Sequence, residues 1–117
     1  MKNILLILCC LFLTNCMGLP KEQLLKEKPT LNLISTKSVE QYMACIKPVW
    51  MNHLGYNEEK LPNGMRLTST PNPKVIRFLL DVTTQEKGSL IRFYDGTQST
   101  FFLGDVMIPI ENCAKNF

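Results

Sequence analysis

The side chains able to do chemistry are few and scattered. Glu58 and Glu59 are adjacent carboxylates in the stretch NEEKLPNG, residues 57–64. Hydrolysis by paired carboxylates needs two acids flanking a cleft, whereas two neighbours in a polar turn are accounted for by solvation. His53 is the sole histidine. A nucleophilic triad sets a histidine between an activated hydroxyl and an orienting acid. Serines and threonines are plentiful here, but none stands in a recognisable nucleophile elbow. Met51 and His53 are close in sequence, and soft thioethers select Cu(I). No Met-x-Met cluster accompanies them, and Met43 falls on a helical apolar stripe, where methionine is ordinary core filling. The expectation is therefore no catalytic residue, no metal and no cofactor. Trp50, the only tryptophan, falls on the same stripe. It reads as a core residue, with an interaction anchor as the alternative.

The remaining reactive type is cysteine, and its distribution is uneven. Cys9, Cys10 and Cys16 crowd the front of the chain, leaving Cys45 and Cys113 for the rest. Residues 4–13 carry no charge and come after Lys2. A membrane-spanning helix needs about 20 apolar residues, so this run is too short. A positive start and then a short apolar core is the pattern of a secretory signal peptide. It is not succeeded by a small-x-small cleavage site. The run ends instead in Leu13-Thr14-Asn15-Cys16, which resembles the lipobox of bacterial lipoproteins. In that family a leucine three residues before the cysteine marks the cut, and the cysteine becomes a diacylglycerol-modified first residue. Asn15 departs from the Gly, Ala or Ser usual just before the cysteine. The resemblance implies lipidation of Cys16, with Cys9 and Cys10 discarded as apolar filler. It also implies a membrane partner, since acyl chains add about 0.8 kcal/mol per buried CH₂ and two or more give stable anchoring. Met17 stands where an Asp tends to hold such proteins in the inner membrane, so the outer membrane is favoured, with the folded part facing the periplasm.

Loss of residues 1–15 leaves a chain long enough for one small domain. The full chain has a net charge of +3, and losing Lys2 lowers it by one. That balance, without a Lys/Arg cluster, predicts no nucleic-acid partner. In an oxidising compartment the two leftover cysteines, Cys45 and Cys113, read as a structural disulfide. A redox-active pair would sit in a Cys-x-x-Cys motif. Closing so long a loop is worth about 4 kcal/mol in the loop-entropy account, a large share of the 5–15 kcal/mol typical of a domain.

These residues need elements to hold them. Residues 18–33 contain Pro20, Pro29 and the charged run KEQLLKEK, and read as a linker with at most a transient helical turn. Fully extended, it would lift the body roughly 50 Å from the bilayer. Residues 35–54 read as a helix. Val39, Met43, Ile46, Trp50 and Leu54 recur at helical spacing, Ser38 and Gln41 form a capping-box pattern, and Gly55 is placed to end it. Pro48 should kink or split it. After the 57–64 loop the chain turns extended. MRLTST alternates weakly. KVIRFLLDVTT places Ile76, Phe78, Leu80 and Val82 on one face, with Arg77 and Asp81 marking the other as partly wet. SLIRFYD sets Ile91 and Phe93 opposite Arg92 and Tyr94. Asp95-Gly96 is a strong hairpin signal, with TQSTFFLG as the returning strand. Residues 105–116 go back to helical spacing through Val106, Ile110 and Cys113, with Asp105 as a candidate cap and Pro109 limiting the start.

The expected fold is α+β: an antiparallel meander of three to four strands, covered on one face by an N-terminal and a C-terminal helix and stapled by the disulfide. The expected organisation is a signal peptide at 1–15, a lipidated cysteine and flexible tether at 16–34, and a small periplasmic domain at 35–117. The order Cys45-Ile46, Trp50, Gly64, Arg66-Leu67, two alternating strands and Cys113 resembles small uncharacterised lipoproteins of Gram-negative bacteria and their prophages, over roughly residues 38–114. That resemblance implies a fold, with its Cys and Trp positions structural. The functional expectation is a membrane-anchored, non-enzymatic binding module, with an envelope protein or peptidoglycan as partner. The alternatives are a small cell-wall enzyme and a phage superinfection-exclusion lipoprotein.

Overall fold

The computed structural model describes residues 18–97 and 103–115. They form an α+β fold of five strands and three helices: α1 Lys21–Leu24, β1 Leu31–Ser35, α2 Val39–Trp50, β2 Tyr56–Leu61, β3 Gly64–Ser69, β4 Phe78–Gln85, β5 Gly88–Asp95 and α3 Leu103–Ala114. The sheet order is β1-β5-β4-β3-β2 and every pairing is antiparallel. Strands β2 to β5 are a meander. β1 closes the sheet beside β5, and α2 carries the chain from one edge to the other.

The sheet therefore has five strands where three to four were expected. Both extra strands come from segments whose composition reads as linker or loop. β1 lies inside the expected tether: Leu31 faces Phe93 and Leu33 faces Ile91 on β5. β2 lies inside the expected polar loop and pairs with β3 along its whole length, from Tyr56 opposite Ser69 to Leu61 opposite Gly64. Its register shows why it is hard to read. It is an edge strand with four of six residues exposed, so the apolar alternation that marks a half-buried strand is missing. α1 is likewise a real turn of helix, and it buries Leu24.

The two longer helices keep the expected pattern with shifted ends. Ser38 caps α2 through a complete capping box: its Oγ accepts from Gln41 N at 3.1 Å, and Gln41 Oε1 accepts from Ser38 N at 3.0 Å. The helix stops at Trp50 rather than Leu54, so Leu54 lies in the succeeding loop. Pro48 neither splits nor shortens the middle of α2; it sits in the last turn, and the helix ends two residues later at Trp50. Gly55 serves that loop instead, at φ 66°, where any Cβ would meet the Thr70 backbone. α3 begins at Leu103, ahead of Asp105, and continues through Pro109. Of the expected returning strand, Leu103 and Gly104 are helical and residues 98–102 lie outside the described residues.

The main core forms where α2 and α3 meet one sheet face. Tyr42, Met43, Ile46 and Trp50 from α2 and Val106, Ile110 and Cys113 from α3 pack on Leu67, Phe78, Leu80, Val82, Ile91 and Phe93. Trp50 stands edge-on to Phe93, with ring centroids 6.2 Å apart. The buried Tyr42 hydroxyl donates to Ile110 O at 2.9 Å, tying α2 to α3, and burial pushes its pKa above the usual tyrosine range. Cys45 and Cys113 are joined in a disulfide, with Cα atoms 5.7 Å apart. The staple thus links the two helices over the core, as expected.

The opposite sheet face carries a second, smaller cluster. Leu19, Leu24, Ile76, Leu79 and Tyr94 pack together there, with Leu25 at the margin. Ile76 belongs to this cluster, not to the face of Phe78 and Leu80, because β4 starts only at Phe78 and residue 76 bridges to Leu19 instead.

Candidate groove beside the edge strand

Strand alternation separates the adjacent carboxylates. Glu58 points to the helix-covered side and pairs with Lys47 of α2 at 2.6 Å. Glu59 points to the other side, where Lys21 of α1 donates to its Oε2 at 3.0 Å. Arg66 Nη1 lies 3.6 Å from that same oxygen. Arg66 in turn grips Asp81 with a two-pronged contact, Nε to Oδ1 at 2.7 Å and Nη2 to Oδ2 at 2.9 Å. Arg66 and Asp81 are directly opposed in the β3–β4 register, which is why the guanidinium fork meets the carboxylate squarely. The result is a chain of alternating charge, Lys21–Glu59–Arg66–Asp81, laid across β2, β3 and β4.

Beside this chain lies an open groove of about 430 Å³, within the size range of small-ligand and peptide-side-chain sites. Pro20, Lys21 and Glu22 form one wall, Asn57, Glu59, Thr68 and Thr70 the floor, and Pro73, Lys74 and Ile76 the far wall. Its lining mixes apolar patches from proline and isoleucine with hydroxyl, amide and charged groups. It adjoins β2, whose outer backbone edge has no strand partner among the described residues.

The ion pairs favour the charged forms of Glu59 and Arg66. The hydrogen bond from Lys21, helped by the charges of Lys21 and Arg66, holds the Glu59 carboxyl below the usual range against the opposing effect of burial. The hydrogen bond to Asp81 raises Arg66 further. The Lys21 and Glu59 side chains are both about half exposed, at 43% and 45%, so solvent screens this pair; the Arg66–Asp81 contact, at 12% and 12%, is the more enclosed one.

Of the residues singled out by type, the structure joins Cys45 to Cys113 and sets His53 against Trp50, while Glu58 and Glu59 go to separate partners. His53 packs edge-on against Trp50, with ring centroids 5.1 Å apart, and its pKa is lowered by burial and then by the charge of Arg77. Trp50 is fully buried, so it presents no surface to a partner and the interaction-anchor alternative does not hold in this fold. Met51 is exposed in the loop after α2. No group of three or more His, Cys, Asp or Glu side chains converges among the described residues. Cys16, the candidate lipidation site, lies outside the described residues, as do Cys9 and Cys10.

The groove is the feature that reading by residue type missed. Lys21 sits in the expected tether and Asn57 and Glu59 in the expected loop. The available signal was the pair Arg66 and Asp81, polar residues at matching positions of two neighbouring alternating strands. No helix among the described residues is long and apolar enough to cross a membrane. No protein-family model, curated protein or solved structure matches the chain.

Proposed function

We propose that this chain is a lipid-anchored envelope lipoprotein whose folded body is a non-enzymatic binding module facing the periplasm. The short apolar start and Leu13-Thr14-Asn15-Cys16 support export and lipidation at Cys16. The Cys45–Cys113 disulfide fits an oxidising compartment. Met17 after the cysteine favours the outer membrane. The observation that carries the binding reading is the groove itself: a preformed cleft whose walls mix proline and isoleucine with Lys21, Glu22 and Lys74, over a floor of Asn57, Thr68, Thr70 and an ion-paired Glu59. Such a lining orients a bound chain without attacking it. The occupant is a segment of an envelope protein or of peptidoglycan.

The test uses envelopes crosslinked in cells that make the wild type, Asn57→Arg or Lys74→Glu, with capture of this chain and mass spectrometry of the proteins and glycans that come with it. Asn57 and Lys74 are exposed, so both variants retain the fold. A binding module should lose its specific partner in both variants while remaining in the membrane fraction. A partner recovered equally by all three proteins contradicts the groove assignment, and a lytic band from the purified protein on a peptidoglycan zymogram contradicts the non-enzymatic reading.

A further inference from the structure

A lipid anchor joined to a long tether would let the body float well above the bilayer. The fold removes that tether. Leu19 is already part of the body: its N–H donates to Ile76 O at 3.0 Å, and Ile76 N donates back to Leu19 O at 2.7 Å. Both side chains are buried in the second cluster. Gly18 precedes this bridge at φ 139°, where a Cβ would run into the Ile76 backbone, so the entry to the body is itself closely packed. Cys16 is three residues before Leu19. Three residues span at most about 10 Å, so a lipid on Cys16 leaves the body no slack to leave the surface.

The strand register fixes which part of the body lies at that exit. Tyr56, Ser69, Phe78 and Asp95 are mutual partners at one end of the sheet. Gly55 O accepts from Thr70 N, and Arg77 O accepts from Gly96 N, at that same end. The Leu19–Ile76 bridge stands beside them. Two large apolar side chains are exposed there without cover, Met51 at 63% and Leu54 at 65%, and Lys74 and Arg77 are exposed nearby. Exposed apolar side chains together with basic ones are the composition of a surface that rests in a lipid headgroup layer. The opposite end of the sheet carries the turns Pro62-Asn63 and Glu86-Lys87; Ile34, opposite Leu90, is exposed toward it, but that end is away from the Leu19–Ile76 bridge where the chain enters.

We propose that the sheet end bearing Met51, Leu54, Lys74 and Arg77 docks directly on the lipid surface that holds the anchor, giving the body one fixed orientation. The proposal rests on the lipoprotein reading and adds to it a lipid contact made by the folded body. It also places the groove, whose walls include Pro20, Lys74 and Ile76, next to the bilayer rather than out in the periplasm.

The experiment takes the full mature protein from membranes, measures its intact mass, and reconstitutes it into phosphatidylethanolamine–phosphatidylglycerol vesicles with a diazirine-bearing phospholipid. After illumination, lipid adducts should concentrate in peptides covering residues 49–56 and 70–78, and be missing from those covering 61–64 and 84–88. Met51→Glu with Leu54→Glu, both at exposed positions, should lose most of the first set while the mass still shows the acyl chains. A Gly-Ser spacer of about 16 residues between Met17 and Gly18, enough to reach roughly 50 Å extended, should lose them as well. Acylated protein with adducts absent or spread over both ends overturns the docking alone. An intact mass without acyl chains overturns the anchor reading and the docking together.

Discussion

The two faces of the sheet are built on different principles. One face is covered by α2 and α3, carries the large core around Trp50, Ile46 and Phe93, and is closed by a covalent bond. The other is covered only near one end, by a four-residue helix and five buried apolar side chains. Across β2, β3 and β4 that second face carries the Lys21–Glu59–Arg66–Asp81 chain and the groove beside it, and toward β1 it is open, with Ile34 exposed. Area buried sets most of a domain's stability, so the helical face supplies stability and leaves the other free to carry polar chemistry. The N-terminal segment is attached to the weaker face. The part of the fold nearest the proposed anchor is therefore the part most easily loosened.

The difference between the faces is tested most forcefully at Trp50. Trp50→Ala opens a cavity in the main core and should cost about 4 kcal/mol, read by urea denaturation. Trp50→Phe should cost far less, because the buried indole Nε1 makes no hydrogen bond to protein and Phe removes an unsatisfied donor. Equal losses for the two would mean that the indole nitrogen has a partner the fold does not show.

Removing the staple comes next. Cys45→Ala, Cys113→Ala and the double variant should each lose about 3 kcal/mol, and each kcal/mol lowers the melting temperature by roughly 4–8 °C in a domain of this size. All three remove one bond, so strictly additive losses would show two independent apolar residues instead. In the oxidised wild type both thiols should resist alkylation until reduction.

On the second face, Leu24→Ala should cost about 2 kcal/mol, the low end for a buried leucine, because its cluster is small and can collapse. Limited proteolysis should then cut within residues 20–30 while the helical face stays intact. A cooperative loss of the whole fold would deny that the two faces differ in strength.

The smallest effect is one of pH. The folded-state pKa of His53 lies below its ordinary value of 6.5 because of burial and Arg77. Its neutral form is thus favoured by folding. That contribution is complete above about pH 6.5 and is lost as pH falls from there through the folded value. His53→Phe should flatten the thermal-stability profile as pH falls below about 6.5. Glu59 also loses its contribution as pH falls, but in a lower window, from its ordinary 4.5 downward through its depressed folded value. A wild-type stability that rises as pH falls below 6.5 would reverse the sign assigned to His53.

Legibility in the sequence divides along the same line. α2, α3, β3, β4, β5 and the disulfide belong to the large core, where periodic apolar residues are numerous enough to show. The capping pair Ser38 and Gln41 was legible because its chemistry is local. β1, β2 and α1 were not legible for distinct reasons. β2 is an edge strand with both faces mostly wet, so Glu58 and Glu59 look like a loop until their separate partners, Lys47 and Lys21, are known. β1 alternates as Leu31, Leu33 and Ser35 against Asn32 and Ile34, but it is short and comes after Pro29 and a charged run. α1 is a single turn whose position depends on Leu24 finding Leu79 and Tyr94, a contact no local pattern announces. The groove lies between these three elements and β3, so it was hidden with them. Helix ends slipped for a related reason: Leu54 keeps the helical spacing, yet the chain leaves α2 after Trp50 and exposes it.

Whether Cys16 holds this fold on a membrane decides the rest, and the most direct test is the intact mass of the protein recovered from the membrane fraction. The expected species is a chain that begins at Cys16, lacks residues 1–15 and carries an acylated glycerol, with Cys16→Ser shifting to the unlipidated mass and leaving the membrane. A mass equal to the uncleaved chain, or to a chain cleaved elsewhere without lipid, would contradict it.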